Sequence, residues 1–378
     1  MRIGINALYL LPGKVGGTET YIRNLVTWLV KGDRENTYVI FVNRESAGIF
    51  EALAPGCEVV CCPIRASNRP LRILWEQTVL PFQILRSKTD LLFSAGMTTP
   101  FICPVPTVLV LFDLQHLLQP ENFPLVYLLF LKTIIFLSTK VAAGIVTISE
   151  KVKRDVVDLY NMPPGRIAVT HLAVDHLAFH PRKTAEIEAV RTRYGLPDRF
   201  ILYAAASLPH KNHARLFAAL KILKQRGEGT RLVLIGARDK GQEAIARNIL
   251  AAGLSQDVVF TGWLPFEDIP LIYCASAALV FPTLNEGFGL PVLEAMACGV
   301  PVVCSSIEPL PEVAGDAARF VDAYDPAAIA DGIRAVLGDQ DLRDRLIARG
   351  FKRAAEFTWE NTALKTRSFL LSVGKARL

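Results

Sequence analysis

Two acids set around a pair of glycines are the residues here best placed for chemistry. Glu286 and Glu294 flank Gly287, Phe288, Gly289 and Leu290 in the run PTLNEGFGLPVLEAMACGVP, Pro282 to Pro301. Ala277 to Phe281 (AALVF), just before it, has the length and bounds of a buried strand. Pro291 suits a first helical turn, Leu293 to Ala297 are good helix formers, and Gly299 with Pro301 marks a stop. A strand, a glycine loop and a helix N-terminus that meet in this way turn backbone N–H groups and the positive end of a helix dipole toward one spot. Such a spot favours a phosphate or another anion. Taken alone, the acids also fit a helix cap at Glu286 and a solvated helical acid at Glu294.

The same construction occurs near the N-terminus. Ile3 to Asn6 reads as a strand, Gly13, Gly16 and Gly17 punctuate the loop that follows, and apolar residues at Ile22, Leu25, Val26 and Leu29 then recur with helical period. Further strands are predicted at Tyr38–Val42, Glu58–Cys62, Asp90–Phe93, Thr107–Phe112, Gly144–Ile148 and Arg166–Thr170. Between them lie a helix over Leu71–Leu85 and one from Ser149 as cap to Tyr160. Strands alternating with helices specify a parallel sheet covered on both faces, a Rossmann-like domain. Residues from about His176 to Pro197 are charged and poorly periodic and read as a linker. The pattern then restarts. Strands are predicted at Phe200–Ala204, Arg231–Ile235, Val258–Phe260 and Ala277–Phe281, with helices over Leu216–Gln225, Glu243–Ala251, Asp268–Tyr273 and finally Thr358–Ser372. The loop SLPHKNH after the first of these strands carries Ser207, His210, Lys211 and His213. This gives an α/β chain with domains at 1–178 and 179–356 and a C-terminal helix at 357–378 that packs back toward the first.

Composition agrees with two cores. The chain has 378 residues, 51% hydrophobic and 21% charged, and no low-complexity tract. A net charge of +6 without a Lys/Arg block excludes a nucleic-acid groove and leaves anionic small molecules or acidic lipid surfaces as partners. Leu125 to Leu137 (LVYLLFLKTIIFL) is the most hydrophobic stretch, but Lys132 interrupts it and it is too short to span a bilayer, so a buried or interface helix is expected. The N-terminus reads as a strand rather than a secretion signal. Seven cysteines, Cys61, Cys62 and Cys304 among them, lack zinc or disulfide spacing, as suits a reducing cytosol.

With these elements placed, the chain resembles the retaining glycosyltransferases of the GT-B fold, glycosyltransferase family 4 (group 1 glycosyltransferases). The matching motifs stand in the family order: VTISEKVKRDVV with Pro164 and Ala173 to Asp175, FTGWLP from Phe260, EGFGLPVLEAMACGVPVV, and LPEVAGDAARFVDAYDP from Leu310. The WEQ helix and DLQHLLQPENF resemble bacterial members that build surface polysaccharides, several of them mannosyltransferases.

The resemblance implies two Rossmann-like domains facing each other across a cleft, the first binding acceptor and the second a nucleotide sugar. It implies a hexose, mannose among the candidates, moved to a lipid-linked or saccharide acceptor for cell-surface polysaccharide. The setting is the cytoplasm, with peripheral contact at the inner face of the cell membrane. No metal or cofactor is expected, so a cation must hold the departing diphosphate. By resemblance that cation is Lys211, Glu286 contacts the donor sugar and Glu294 the ribose. Gly16, Gly17, Ser207 and the backbone of Gly287, Phe288, Gly289 and Leu290 complete the nucleotide-sugar site. Two positions depart from the family: Phe112 stands where a His is common, with His116 as its substitute, and Ala206 stands where an Arg is usual. His210 or Arg215 is then expected to help Lys211.

Rival readings are a glycoside hydrolase, a nicotinamide enzyme and an inactive GT-B scaffold or partner subunit. Glu286 and Glu294 share one loop and helix, unlike a hydrolase pair flanking an anomeric carbon. Neither glycine loop completes G-x-G-x-x-G. Phe112 and Ala206 motivate the inactive scaffold. His210 and His213 are spaced for a metal but lack a third ligand.

Overall fold

A computed structural model describes residues 1–13, 16–236 and 242–376. By packing the chain divides into two units, Met1–Leu172 with the C-terminal segment from Trp359, and Ala173–Thr358. The first holds a sheet of β1 (Arg2–Asn6), β2 (Thr37–Val42), β3 (Glu58–Cys61), β4 (Leu91–Ser94), β5 (Thr107–Leu111), β6 (Gly144–Thr147) and β7 (Ile167–Val169). Its order is β3-β2-β1-β4-β5-β6-β7, every pair parallel. Helices cover both faces, so central strands such as β4 and β5 are buried at every residue. That is why they read as unbroken apolar runs in the sequence.

The second unit repeats the plan with β8 (Ile201–Ala204), β9 (Leu232–Ile235), β10 (Val258–Gly262), β11 (Ala278–Phe281), β12 (Val302–Ser305) and β13 (Ala318–Val321). Here the order is β10-β9-β8-β11-β12-β13, again all parallel. Each strand predicted above is present, with ends shifted by a residue or two. Strands β12 and β13 were not predicted. The first is four residues directly after Pro301, and the second carries an exposed Arg319 that breaks its apolar run.

Two readings are corrected. The helix predicted over Leu71–Leu85 is two helices, Arg69–Thr78 and Leu80–Arg86, broken at Val79. Pro81 has no N–H to give to the turn before it, so the ladder cannot pass through. The supposed linker from about His176 to Pro197 contains a helix, Thr184–Tyr194, ending at Gly195 in the left-handed region. It belongs to the second unit. Arg191 donates to Ala275 O at 3.1 Å, while Arg193 and Tyr194 reach Asp268 at 2.7 and 2.5 Å. Val190 is its one buried residue, which explains the missing period. The apolar stretch forms helix Leu125–Val141; it buries Leu128, Ile134 and Ile135 but exposes Leu125, Val126 and Leu129. No described helix is long and apolar enough to cross a membrane.

The last helix, Trp359–Lys375, docks on the first unit, where Trp359 lies 6.3 Å from the Tyr21 ring. The span 357–378 expected for it runs two residues past the described chain. Gly144 makes the docking close, because a Cβ there would sit 2.9 Å from the Phe369 ring and 3.0 Å from Val373. Gly144→Val should push the helix off β6 and destabilise the first unit by about 1–3 kcal/mol, read as a lower urea midpoint. An unchanged midpoint would refute the tight fit.

Candidate active site

In the second unit the strand order runs outward in both directions from β8, so β8 and β11 are neighbours whose onward crossovers diverge. The crevice at the carboxyl ends of such a pair is where open parallel sheets take ligands. The loop after β8 and the loop after β11 meet there and are joined by several hydrogen bonds. Thr283 Oγ1 and the Leu284 N–H donate to His210 O at 3.1 and 2.8 Å, and the Tyr203 hydroxyl donates to Lys211 O. Asn212 adopts φ 62°, a region Asn tolerates better than most residues. From it the side-chain amide donates to Pro282 O at 2.8 Å and Ala323 O at 2.7 Å.

These bonds set Lys211 against Glu286. Lys211 Nζ and Glu286 Oε1 are 2.5 Å apart, and their side chains are 16% and 12% exposed. The ammonium also lies 5.7 Å from the centre of the Phe281 ring. Glu286 opens the glycine loop that leads into helix Leu290–Ala297. Gly289 caps that helix with φ 104°, and a Cβ there would lie 2.5 Å from Leu310 Cδ2, so only glycine fits. Phe288 is buried and packs edge-on against Phe357 at 5.9 Å, fixing the loop as the helix begins. Gly287, Leu290 and Ser207 are half-buried in the same two loops.

Glu294 is held apart from Glu286 by a different partner, accepting a 2.8 Å bond from the Tyr273 hydroxyl. Burial pushes its carboxyl up to about 7, and the Tyr273 bond partly opposes that rise. The expected helpers of Lys211 are otherwise engaged. Burial, reinforced by Lys211 and opposed by Glu286, pushes His210 down to about 4, leaving it neutral. Arg215 donates to Asn212 Oδ1 at 3.1 Å and lies over the Tyr324 ring at 5.2 Å. His213 is buried against Tyr203. Among the described residues no group of three or more His, Cys, Asp or Glu is placed to hold a metal.

In the first unit, Gly16 caps helix Gly17–Gly32 with φ 55°, and the Gly13 N–H donates to Glu19 at 2.7 Å. Gly16 and Gly17 are exposed; Lys14 and Val15 between these glycines lie outside the described residues. Phe112 lines a pocket of about 440 Å³ at the carboxyl ends of β1, β4 and β5. His116 does not line it. It is buried, with Nε2 2.7 Å from the Tyr160 hydroxyl. Its geometry is that of a core residue bonded to its neighbour. Sequence reasoning missed Asn212, Tyr203 and Tyr273. Asn212 alone left a signal, as an Asn closing a turn before a helix.

Burial, with Lys132 adding to it, pushes the His116 imidazole down to about 4. The unfolded chain can take up this proton below about pH 6.5, whereas the folded one cannot until about 4. The stability tied to neutral His116 is therefore complete above pH 6.5 and is lost as pH falls toward 4. The urea midpoint should decline across that window, and less steeply in His116→Gln. The variant should also lose about 1–3 kcal/mol at neutral pH if the Tyr160 hydroxyl is left unpaired. An unchanged slope would overturn the buried neutral state.

Comparison with known proteins adds the family. The model for group 1 glycosyl transferases matches residues 186–353, and that for Glycosyltransferase Family 4 matches residues 15–176. The O-antigen chain mannosyltransferase B of Escherichia coli is 33% identical over 256 residues, 67% of each chain. The serotype-specific mannosyltransferase WbdA of Escherichia coli is 32% identical over 226 residues, 59% of this chain but 28% of that protein. Among solved structures, Anabaena Alr3699/HepE in complex with UDP and glucose superposes with a TM-score of 0.77 at 19% identity, covering 98% of this chain and 100% of that one. With one family model on each half of the chain, parallel sheets in both units and a relative matched over two thirds of its length, the protein belongs to the group 1 glycosyltransferases, glycosyltransferase family 4, of the GT-B fold.

Proposed function

We propose that the protein is a retaining, metal-independent hexosyltransferase of cell-surface polysaccharide biosynthesis. It moves a hexose, mannose in the first instance, from a nucleotide-diphosphate sugar to a lipid-linked or saccharide acceptor at the cytoplasmic face of the membrane. The Lys211–Glu286 pair at the β8/β11 crevice is the observation that carries this reading. Relatives named as mannosyltransferases support the choice of sugar.

The chemistry follows from charge. As the anomeric C–O bond breaks, negative charge grows on the diphosphate and positive character on the sugar. Lys211 turns from Glu286 to the diphosphate, where a charge-assisted bond and the N-terminus of helix Leu290–Ala297 stabilise the leaving group. Glu286, released from the ammonium, accepts from a hydroxyl of the donor sugar, and Glu294 accepts from the ribose. Two partners thus hold each other in place until a donor separates them. Retention of configuration rests on family membership.

Nucleotide diphosphates should raise the Tm of the protein without added magnesium, with one base among UDP, GDP, ADP, CDP and TDP and their sugars raising it most. Lys211→Ala should abolish that rise. Indifference of the wild type to every nucleotide diphosphate would sink the donor site. Glu286→Gln should keep the Tm rise and lose about 10²–10³-fold in kcat. Normal turnover in that variant would refute the role of Glu286, and nucleotide binding without transfer of any sugar would favour the inactive scaffold.

A further inference from the structure

A buried cation lies at the corresponding crevice of the first unit. Helix Arg69–Thr78 starts at Asn68, whose side chain accepts from the Leu71 N–H at 3.2 Å. The face it buries carries Arg72, Ile73 and Glu76. Arg72 is 7% exposed, and neither its Nε nor its Nη1 has a hydrogen-bond partner. Burying a guanidinium with unmet donors costs several kcal/mol unless an acceptor reaches it. Glu76, one turn on, offsets part of the charge, yet its own Oε1 is also without a partner. The fold alone leaves these donors unmet.

Arg72 lines the pocket of about 440 Å³ described above. Strand order reverses between β1 and β4, so this is the switch-point crevice of the first sheet, the counterpart of the one beside Lys211. Arg69 also lines it, donating to the Tyr127 hydroxyl at 2.7 Å, as does Thr98, whose buried hydroxyl has no partner. Among the described residues that line it there is no Asp or Glu. Phe130, Leu131 and Ile134 of helix Leu125–Val141 give the pocket an apolar wall. The neighbouring loop is fixed from below, since Gln77 donates to Thr99 O at 3.1 Å and accepts from the Phe101 N–H at 2.9 Å.

We propose that this pocket binds an amphiphilic phosphate, its oxygens on Arg72 and Thr98 and its apolar chain against Phe130, Leu131 and Ile134, and that the acceptor carries this group. Arg72 is then a specificity-determining residue for the acceptor. Only the word acceptor rests on the glycosyl-transfer reading; the binding site stands on the two unmet donors of Arg72 and the apolar residues that line the same pocket.

The test is equilibrium titration of the full chain with decyl phosphate below its micelle concentration, beside inorganic phosphate and the neutral decyl glucoside. Decyl phosphate should bind at least tenfold tighter than either. Arg72→Met should weaken it roughly 10- to 100-fold, with Arg72→Lys in between, and Thr98→Val should weaken it roughly 2- to 10-fold. Thr98→Val keeps the volume of the side chain, so it decides the matter if Arg72→Met does not fold. Equal binding of decyl glucoside would overturn the anionic half of the proposal, and equal binding of inorganic phosphate the apolar half. Wild-type affinity in Arg72→Met would overturn both. The Tm rise with nucleotide diphosphates, measured on the same samples, should persist in Arg72→Met. Its absence from the wild type would mark failure of the donor reading, leaving the titration to judge this site.

Discussion

Parallel strands bring all their carboxyl ends to one edge of a sheet, and a sheet wound outward from its first strand must open a gap there where the crossovers part. Both units obey this constraint. β1 beside β4 and β8 beside β11 are the points of divergence, and the chemically unusual residues sit beyond them. The constraint belongs to the backbone. A right-handed crossover on each side leaves the two loops no covering helix, so whatever side chains they carry face a hollow.

Each unit then populates that hollow differently. In the second, a lysine and a glutamate 2.5 Å apart leave little net charge, with neutral His210 beside them. In the first, Arg69 and Arg72 line the pocket with no acid among the described lining residues. Half-exposed ion pairs are worth only about 0–1 kcal/mol, and the burial of Lys211 and Glu286 raises both their attraction and the penalty of desolvating them. A diphosphate offers Lys211 more negative charge than one carboxylate can. The paired state is accordingly one that a ligand can exchange at modest cost.

Much of the fold was legible because buried parallel strands advertise themselves as apolar runs, and the EGFGLP loop because its glycines and proline stand at positions where backbone geometry admits little else. What escaped has physical causes. Helix Thr184–Tyr194 buries only Val190, so no period could announce it. The break at Val79 was written in Pro81, yet the apolar pattern on either side ran through it. His116 could not be told from a catalytic histidine without Tyr160, which lies 44 residues away in sequence. Arg72 looked like any helical arginine, since nothing local says which face of its helix turns inward. The roles proposed for Lys211 and Glu286 rest on resemblance; their meeting depends on strand adjacency, which spacing does not encode.

Asn212 shows what the sewn edge of the second sheet means mechanically. One side-chain amide reaches Pro282 O in the loop after β11 and Ala323 O in the loop after β13, while its own backbone closes the loop after β8. Three loops far apart in sequence share a single knot, so none can swing outward without loosening the others. An aspartate would keep the backbone conformation but turn acceptors toward two carbonyls. The crevice edge should therefore open as one cooperative piece on the timescale of local unfolding, rather than flicker loop by loop, and any ligand arriving there meets a surface whose ordering entropy was surrendered when the chain folded.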